Sequence, residues 1–187
     1  MDAVKEDVIA NGDTDAKSPG AAAANTTGAP DGYSDGALRD AMELLFFAYR
    51  DFTAEPDNIL KDYNFGRAHH RVIHFVGSRP GMSVADLLDI LRITKQSLAR
   101  VLKQLIDGGY IRQTAGPEDR RQRRLFLTAE GERLRAELLS PQLRRIDRAF
   151  ATMREDERRA VGEFLTRMCD HDPHAGVEAL PQKGDGS

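Results

Sequence analysis

The sequence predicts a mainly α-helical domain that carries one small β-hairpin. Apolar residues recur every three or four positions over most of the stretch from Gly36 to Cys169, which is the spacing of a buried helix face. Two short strand-like runs, 110–113 and 124–127, interrupt this pattern and flank a loop rich in turn-forming and charged residues. The length of 187 residues suits one domain with tails rather than two full domains.

Both ends of the chain are expected to lie outside this domain. Residues 1–35 consist mainly of Ala, Gly, Asp, Thr, Asn and Pro, and they carry two basic and seven acidic side chains. Such a segment has few large apolar groups to offset the entropy lost on ordering. We therefore expect a disordered acidic tail over 1–35, a folded domain over 36–172 and a flexible tail over 173–187.

The first predicted helix, over 36–55, is apolar on nearly every side. A helix of this kind must be buried on more than one side, and a second subunit is the expected cover in a domain this small. Pro56 is expected to end the helix. One face repeats at three- and four-residue steps and is assigned to dimerisation; its residues are Leu38, Ala41, Leu45, Ala48 and Phe52.

The middle of the chain predicts a helix-turn-helix. Ser83 and Thr94 are suitable N-caps for two short helices, over 84–91 and from 95 to about 107. Residues 92–94 form the short turn between them, which matches the helix-turn-helix outline. The two strand-like runs follow directly, and a β-hairpin placed after the second helix makes a winged helix.

Three further helices complete the predicted pattern. One precedes the helix-turn-helix, over about 65–77. Another begins after Thr128, which is a suitable N-cap, and continues its apolar face to Met153 despite Pro141. The last runs from about 156 to 169 and again has an apolar face.

Positive charge is concentrated in one segment. The chain has a formal net charge of −3, yet residues 92–124 hold nine basic and only three acidic side chains. Such a concentration indicates a local anionic partner. A membrane surface would require a basic amphipathic helix, whereas the densest charge lies in a loop, and the longest apolar run, Leu44–Tyr49, is too short to cross a bilayer. Double-stranded DNA is the predicted partner, and no membrane contact is expected.

The candidate DNA-binding residues lie at the start of the second short helix and in the hairpin loop. Arginine and glutamine side chains can read guanine and adenine edges, while hydroxyl groups and further cations can bind phosphate. Asp119 is expected to pair with one of the loop arginines and brace the wing. The alternatives are a solvated helix face and a charged hairpin tip that only avoids edge pairing. The candidates are Thr94, Lys95, Gln96, Ser97, Arg100, Lys103, Arg120, Arg121, Arg123 and Arg124.

Other chemistry has little support. There is no nucleotide-binding glycine loop, metalloprotease helix or nucleophile elbow, so the sequence predicts no enzyme and no cofactor. His70 and His74 have a spacing that could clamp a metal, but lining an effector pocket or packing is favoured. Cys169 is expected to be an incidental thiol. The acidic N-terminus does not suit a signal peptide, so a cytoplasmic protein is expected.

Two segments carry a family resemblance. Residues 93–111 resemble the recognition helix and first wing strand of the MarR family of bacterial transcriptional regulators. Residues 119–131 resemble that family's wing signature, Asp-x-Arg followed by a strand and Leu-Thr-x-x-Gly. The resemblance covers about 36–170 and is closest to the PetP-like subgroup through residues 65–76.

The resemblance implies an obligate homodimer in which the first and last helices, 36–55 and 129–170, interdigitate and place two DNA-binding winged helices, 83–127, on a near-palindromic site. It also implies that Asp119 braces the wing, that residues 94–100 meet the major groove, and that a small aromatic effector can release DNA. The dimerisation residues expected near the C-terminus are Phe150, Phe164, Leu165 and Met168.

The predicted function is therefore sequence-specific DNA binding at promoters. We expect a homodimeric transcriptional regulator, repressing or activating, that responds to a small-molecule effector. The alternative is a protein-interaction adaptor that reuses the winged-helix fold without reading DNA.

Overall fold

The computed structural model describes residues 32–116 and 122–170, and the mainly helical winged-helix prediction is confirmed. The chain divides into two units at Asp40; residues 32–40 of the first unit are all exposed, and the second unit contains the core. In chain order the elements are α1 (Asp35–Asp62), α2 (Arg67–Ser78), α3 (Val84–Leu91), α4 (Lys95–Asp107), β1 (Ile111–Ala115), β2 (Arg123–Leu127), α5 (Ala129–Phe150) and α6 (Glu155–Arg167).

Helix α1 does not end at Pro56, so that prediction is wrong. The proline lies inside the helix and is fully buried. Proline has no N–H to donate to the carbonyl four residues earlier, which is that of Phe52. Nε2 of Gln142, a buried residue of α5, donates a long hydrogen bond of 3.5 Å to this carbonyl oxygen. A donor from a distant element and the burial of the ring together allow the helix to continue to Asp62.

The predicted helix-turn-helix is confirmed, with the expected caps. The Ser83 hydroxyl accepts a 3.1 Å hydrogen bond from the Asp86 N–H, and the Asp86 carboxylate accepts a 2.8 Å bond from the Ser83 N–H. Thr94 Oγ1 accepts a 3.1 Å bond from the Ser97 N–H. Arg92 ends α3 in the left-handed conformation at φ 50°, which turns the chain towards α4. Each cap contributes about 1 kcal/mol to helix stability.

The wing is attached to the start of this motif. Strands β1 and β2 pair antiparallel, from Ile111 opposite Leu127 to Ala115 opposite Arg123. The segment before α3 adds hydrogen bonds to β2: the Gly81 N–H donates to the Leu125 carbonyl at 2.8 Å, and the Leu125 N–H donates to the Met82 carbonyl at 2.9 Å. The hairpin and α3 are therefore tied together through the backbone.

A single apolar core holds the second unit together. It extends from the end of α1, at Leu60, to the first half of α5, at Leu138. Helix α6 has no buried residue, and between Ala41 and Phe52 α1 has none either. In the described part of the chain, no helix has both the length and the apolarity needed to span a bilayer. The core residues are Leu60, Val72, Ile73, Val76, Met82, Leu87, Leu91, Leu98, Val101, Leu102, Leu105, Ile111, Leu125, Leu134 and Leu138.

Candidate nucleic-acid interface

Helix α4 has one buried face and one polar face. Its apolar residues pack into the core through Leu98, Val101, Leu102 and Leu105. His69 of α2 fixes the helix from behind: its Nδ1 accepts a 3.1 Å hydrogen bond from the Gly66 N–H, so its Nε2 donates to Gln104 Oε1 at 2.9 Å. The opposite face is solvent-exposed and carries the predicted residues Thr94, Lys95, Gln96, Ser97, Arg100 and Lys103.

The exposed residues of α4 differ in how far they are already engaged. Lys95, Gln96 and Arg100 form no side-chain hydrogen bond or ion pair with any described residue. Thr94 and Ser97 are joined to each other by a 2.9 Å hydroxyl–hydroxyl bond at the helix start. Lys103 pairs with Asp107 one turn further on. The free cations and amide therefore lie in the N-terminal half of the helix, which is the half that recognition helices present to bases.

In the wing, the neighbouring residues Arg123 and Arg124 have different environments. Arg123 is exposed at the start of β2. Arg124 is half-buried, and its Nη1 donates a 3.0 Å hydrogen bond to the Gly81 carbonyl, which links β2 to the segment before α3. Its Nε is buried without a partner among the described residues. Arg124 thus ties the loop end of β2 to the segment before α3, and its predicted DNA contact stays a prediction.

The wing tip lies outside the described residues. This includes Asp119, Arg120 and Arg121, so their predicted roles remain predictions. The base of the tip is closed by a 2.8 Å hydrogen bond from the Gly116 N–H to the Gln122 carbonyl. Arg112 of β1 was not among the predicted contacts; its guanidinium lies 4.4 Å from the centroid of the Phe126 ring, which fixes it on the hairpin surface.

The predicted dimerisation residues are largely uncovered. Leu38, Ala41 and Ala48 are exposed, and Leu45, Phe52 and Phe150 are partly buried. The three from α6 and its end, Phe164, Leu165 and Met168, are each about half exposed. Cys169 is exposed as well, and its thiol lies 3.4 Å from the Leu165 carbonyl.

A second site is a cavity of about 440 Å³ between α1, α2 and α5. Its lining includes three tyrosine or phenylalanine rings, two arginines and two histidines. Among the described residues, no carboxylate side chain lines it. The sequence pointed to its histidines but not to its arginines, although their three- and four-residue spacing places all four on one face of α2. The lining residues are Tyr49, Phe52, Thr53, Arg67, His70, Arg71, His74, Phe75 and Gln142.

Burial favours the neutral form of the two histidines of this cavity. Burial lowers the pKa of His70, as does the nearby His74, against smaller opposite effects of Asp57 and Gln142. Burial also lowers the pKa of His74, and the charge of Arg135 adds to this. Within the described residues, no three His, Cys, Asp or Glu side chains converge on a possible metal position.

We expect the free energy of unfolding to fall as the pH drops below about 6.5, the usual pKa of a solvated imidazole. Because the folded pKa values of His70 and His74 lie below this value, the unfolded chain binds more protons in that range. Above about pH 7 these groups should contribute no pH dependence. Urea denaturation at several pH values measures the slope, and a His70→Gln, His74→Gln variant that kept the full slope would contradict the assignment.

Comparison with known proteins assigns the chain to a family. Residues 63–122 match the MarR family. The HTH-type transcriptional regulator PetP of Rhodobacter capsulatus is 47% identical over 149 residues, which cover 77% of this chain and 90% of that protein. The transcriptional regulator HosA of Escherichia coli O111:H- is 31% identical over 101 residues, covering 54% of this chain and 73% of that protein.

Solved structures show the same fold. Streptococcus pneumoniae FabT, in a crystal structure with DNA, superposes with a TM-score of 0.60 at 20% identity and covers 70% of this chain and 93% of FabT. A crystal structure of MarR gives a TM-score of 0.50 at 25% identity, covering 70% of this chain and 93% of MarR. The chain belongs to the MarR family of winged-helix transcriptional regulators, and it is not an enzyme.

Proposed function

We propose that this protein regulates transcription as a cytoplasmic homodimer that binds a near-palindromic promoter site and responds to a small-molecule effector. The observation that carries the proposal is the N-terminal half of α4, where Lys95, Gln96 and Arg100 are exposed and unengaged by any described residue. Side chains of this kind at the start of a recognition helix suit base edges in the major groove.

The proposed DNA contacts fall into two groups. Gln96 can pair with adenine and Arg100 with guanine, each through two hydrogen bonds, which would give sequence preference. Lys95 and the hydroxyl groups at the helix start can bind phosphate, and Arg123 can bind it from the wing. Arg120 and Arg121, braced by Asp119, are proposed as further phosphate or minor-groove contacts. The fold shared with the DNA-bound structure of FabT supports this arrangement.

A second copy of the chain would cover the apolar surface that the core leaves exposed. Large apolar side chains are exposed on α1, on the second half of α5 and on α6. Helix α6 has no buried residue at all. Monomeric proteins rarely expose so much apolar surface. The residues proposed to be covered are Met42, Leu44, Phe46, Phe47, Tyr49, Leu143, Ile146, Phe164, Leu165 and Met168.

The cavity between α1, α2 and α5 is the proposed effector site. Its aromatic walls suit a flat apolar body, and its two arginines suit an anionic group. We therefore propose a small aromatic anion as the class of effector. Burial favours the neutral form of both histidines; the one N–H of His70 is engaged with Gln142, whereas the N–H of His74 can donate a hydrogen bond to such a ligand.

Salt dependence of DNA binding tests the function. A dimer that neutralises ~6–10 phosphates should lose affinity with a log–log slope of about −5 to −9 against salt concentration. Electrophoretic mobility shift with a duplex selected by the protein from a random library measures this slope. A flat salt response, or the absence of binding to any duplex in dilute buffer, would instead favour the adaptor that does not read DNA.

Two single substitutions separate base contacts from phosphate contacts. Arg100→Ala should change the sequence preference and cost about 1–3 kcal/mol on the preferred site, because one bidentate guanine contact is lost. Arg123→Ala should weaken binding to all sequences alike and reduce the salt slope by about 1. Binding of both variants to the same site library compares them directly, and identical profiles would refute the division of roles.

A further inference from the structure

Arg71 connects the cavity to the end of α3. The residue lies in α2 and lines the cavity, while its Nη2 donates a 3.0 Å hydrogen bond to the carbonyl oxygen of Leu91. Leu91 is the last residue of α3, directly before the turn that leads into the recognition helix. One arginine residue therefore lines the proposed effector site and contacts the helix-turn-helix through its guanidinium group.

The hydrogen bond from Arg71 to the Leu91 carbonyl stabilises the end of α3. The last carbonyls of a helix have no donor within the helix, and the partial negative charge of the helix end attracts a cation. Arg92 then adopts the left-handed conformation, at φ 50°, which is uncommon for a residue other than glycine. Thr94, the N-cap of α4, follows two residues later. The bond from Arg71 thus holds the start of a short, strained turn that sets the position of α4.

Arg71 differs from the other arginine of the cavity in its partner. Arg67 is held by the Asp57 carboxylate, with Nη2 and Nε at 2.7 and 2.9 Å from one oxygen. Arg71 has only the neutral Leu91 carbonyl among the described residues. Both bonds have a charged donor, but only Arg67 gains the attraction between two full charges and contacts its partner through two nitrogens. An anion in the cavity can therefore compete for Arg71 far more easily than for Arg67.

We infer that Arg71 is the positioning residue through which an anionic ligand in the cavity weakens DNA binding. The anion draws the guanidinium away from the Leu91 carbonyl, the end of α3 loses its donor, and the turn no longer holds α4 in the DNA-binding position. This inference rests on the effector response in the proposed function, and it adds the route by which occupancy of the cavity reaches α4.

The test compares DNA affinity with and without a probe. Benzoate serves as the probe because it joins a phenyl ring to a carboxylate, and benzamide is its neutral counterpart. For the unaltered protein, saturating benzoate should raise the Kd for the selected duplex by about tenfold, within the usual range of allosteric coupling, and benzamide should leave it unchanged. Calorimetry measures benzoate binding separately.

Arg71→Met and the matched variant Arg67→Met then identify the route. Both should bind benzoate more weakly, since both lose a cation of the cavity. At saturating benzoate, Arg67→Met should keep the tenfold effect on the DNA Kd, whereas the effect in Arg71→Met should fall to nearly onefold. A merely structural role of Arg71 would weaken DNA binding equally with and without benzoate and leave the ratio intact.

Amide hydrogen exchange gives a second readout that needs no DNA. Benzoate should speed exchange at residues 93–97 in the unaltered protein, and these amides should already exchange fast in Arg71→Met and show no response to benzoate. An Arg71→Met variant that retains the tenfold ratio overturns the inference, as does benzoate that binds without changing the DNA Kd. Absence of DNA binding by the unaltered protein would instead refute the proposed function, and this inference with it.

Discussion

Replacing Gly131 by alanine should destabilise the domain by about 3 kcal/mol, because the new methyl group has no room. Gly131 lies in the first turn of α5, where a Cβ atom would be 2.1 Å from the Tyr110 carbonyl oxygen and 3.3 Å from the Leu127 Cβ. This carbonyl cannot retreat freely, since it accepts a 3.0 Å hydrogen bond from the Thr128 N–H. Relieving the clash requires α5 to move away from the hairpin.

Gly162→Ala is the matched control for this variant. Gly162 also lies within a helix, α6, but among the described residues no atom outside that helix's own neighbouring backbone lies within 4 Å of its Cβ position. Alanine should therefore stabilise α6 by up to about 1 kcal/mol through its higher helix propensity. Urea denaturation of both variants at pH 7.5 measures the difference. If Gly131→Ala stays within about 0.5 kcal/mol of the unaltered protein, the close approach of α5 to the Tyr110 carbonyl does not limit this position.

Gly131 illustrates what the sequence could and could not predict. The resemblance identified this glycine as part of a wing signature, and local signals located the elements around it. Ser83 and Thr94 predicted the starts of α3 and α4, and Thr128 predicted that of α5, because capping depends only on residues three positions apart. The reason for the glycine is a contact between α5 and the Tyr110 carbonyl, which no local pattern contains.

Pro56 also shows that local sequence rules miss long-range contacts. The local rule that proline ends a helix failed because the missing donor is supplied by Gln142, 90 residues away from Phe52 in the sequence. Sequence periodicity predicted the helix itself, but it had no access to the long-range partner that lets the helix continue.

The sequence predicted which residues belong to the candidate site, but not which of them are engaged in contacts within the fold. The count of basic residues indicated the candidate interface, and all six predicted positions from Thr94 to Lys103 are exposed. Which cations are already engaged depends on tertiary contacts: Arg124 with the Gly81 carbonyl, and Arg71 with the Leu91 carbonyl. Charge patterning treats all arginines alike, and only the fold separates bracing residues from free ones.

Phe46→Glu should break the proposed homodimer. The Phe46 side chain is 65% exposed in a single chain, on the apolar part of α1. Burying a phenylalanine contributes about 1.5–3 kcal/mol, and two-fold symmetry places the substitution in the interface twice. The loss of about 3–6 kcal/mol corresponds to a dimer Kd raised by roughly 10² to 10⁴. Burial of the added carboxylate, without a partner, would increase this loss further.

Phe46→Glu should also weaken DNA binding, without unfolding the chain. Phe46 lies outside the core, so the monomeric variant should keep its helical circular dichroism, whereas DNA affinity should fall because only one winged helix binds at a time. Asn58→Asp adds the same charge at an exposed position near the end of α1, where the side chain can still accept the 2.8 Å hydrogen bond from Lys61, and should remain dimeric. Sedimentation equilibrium of both variants decides the matter: a Phe46→Glu protein that sediments as a dimer at micromolar concentration would place the subunit contact elsewhere.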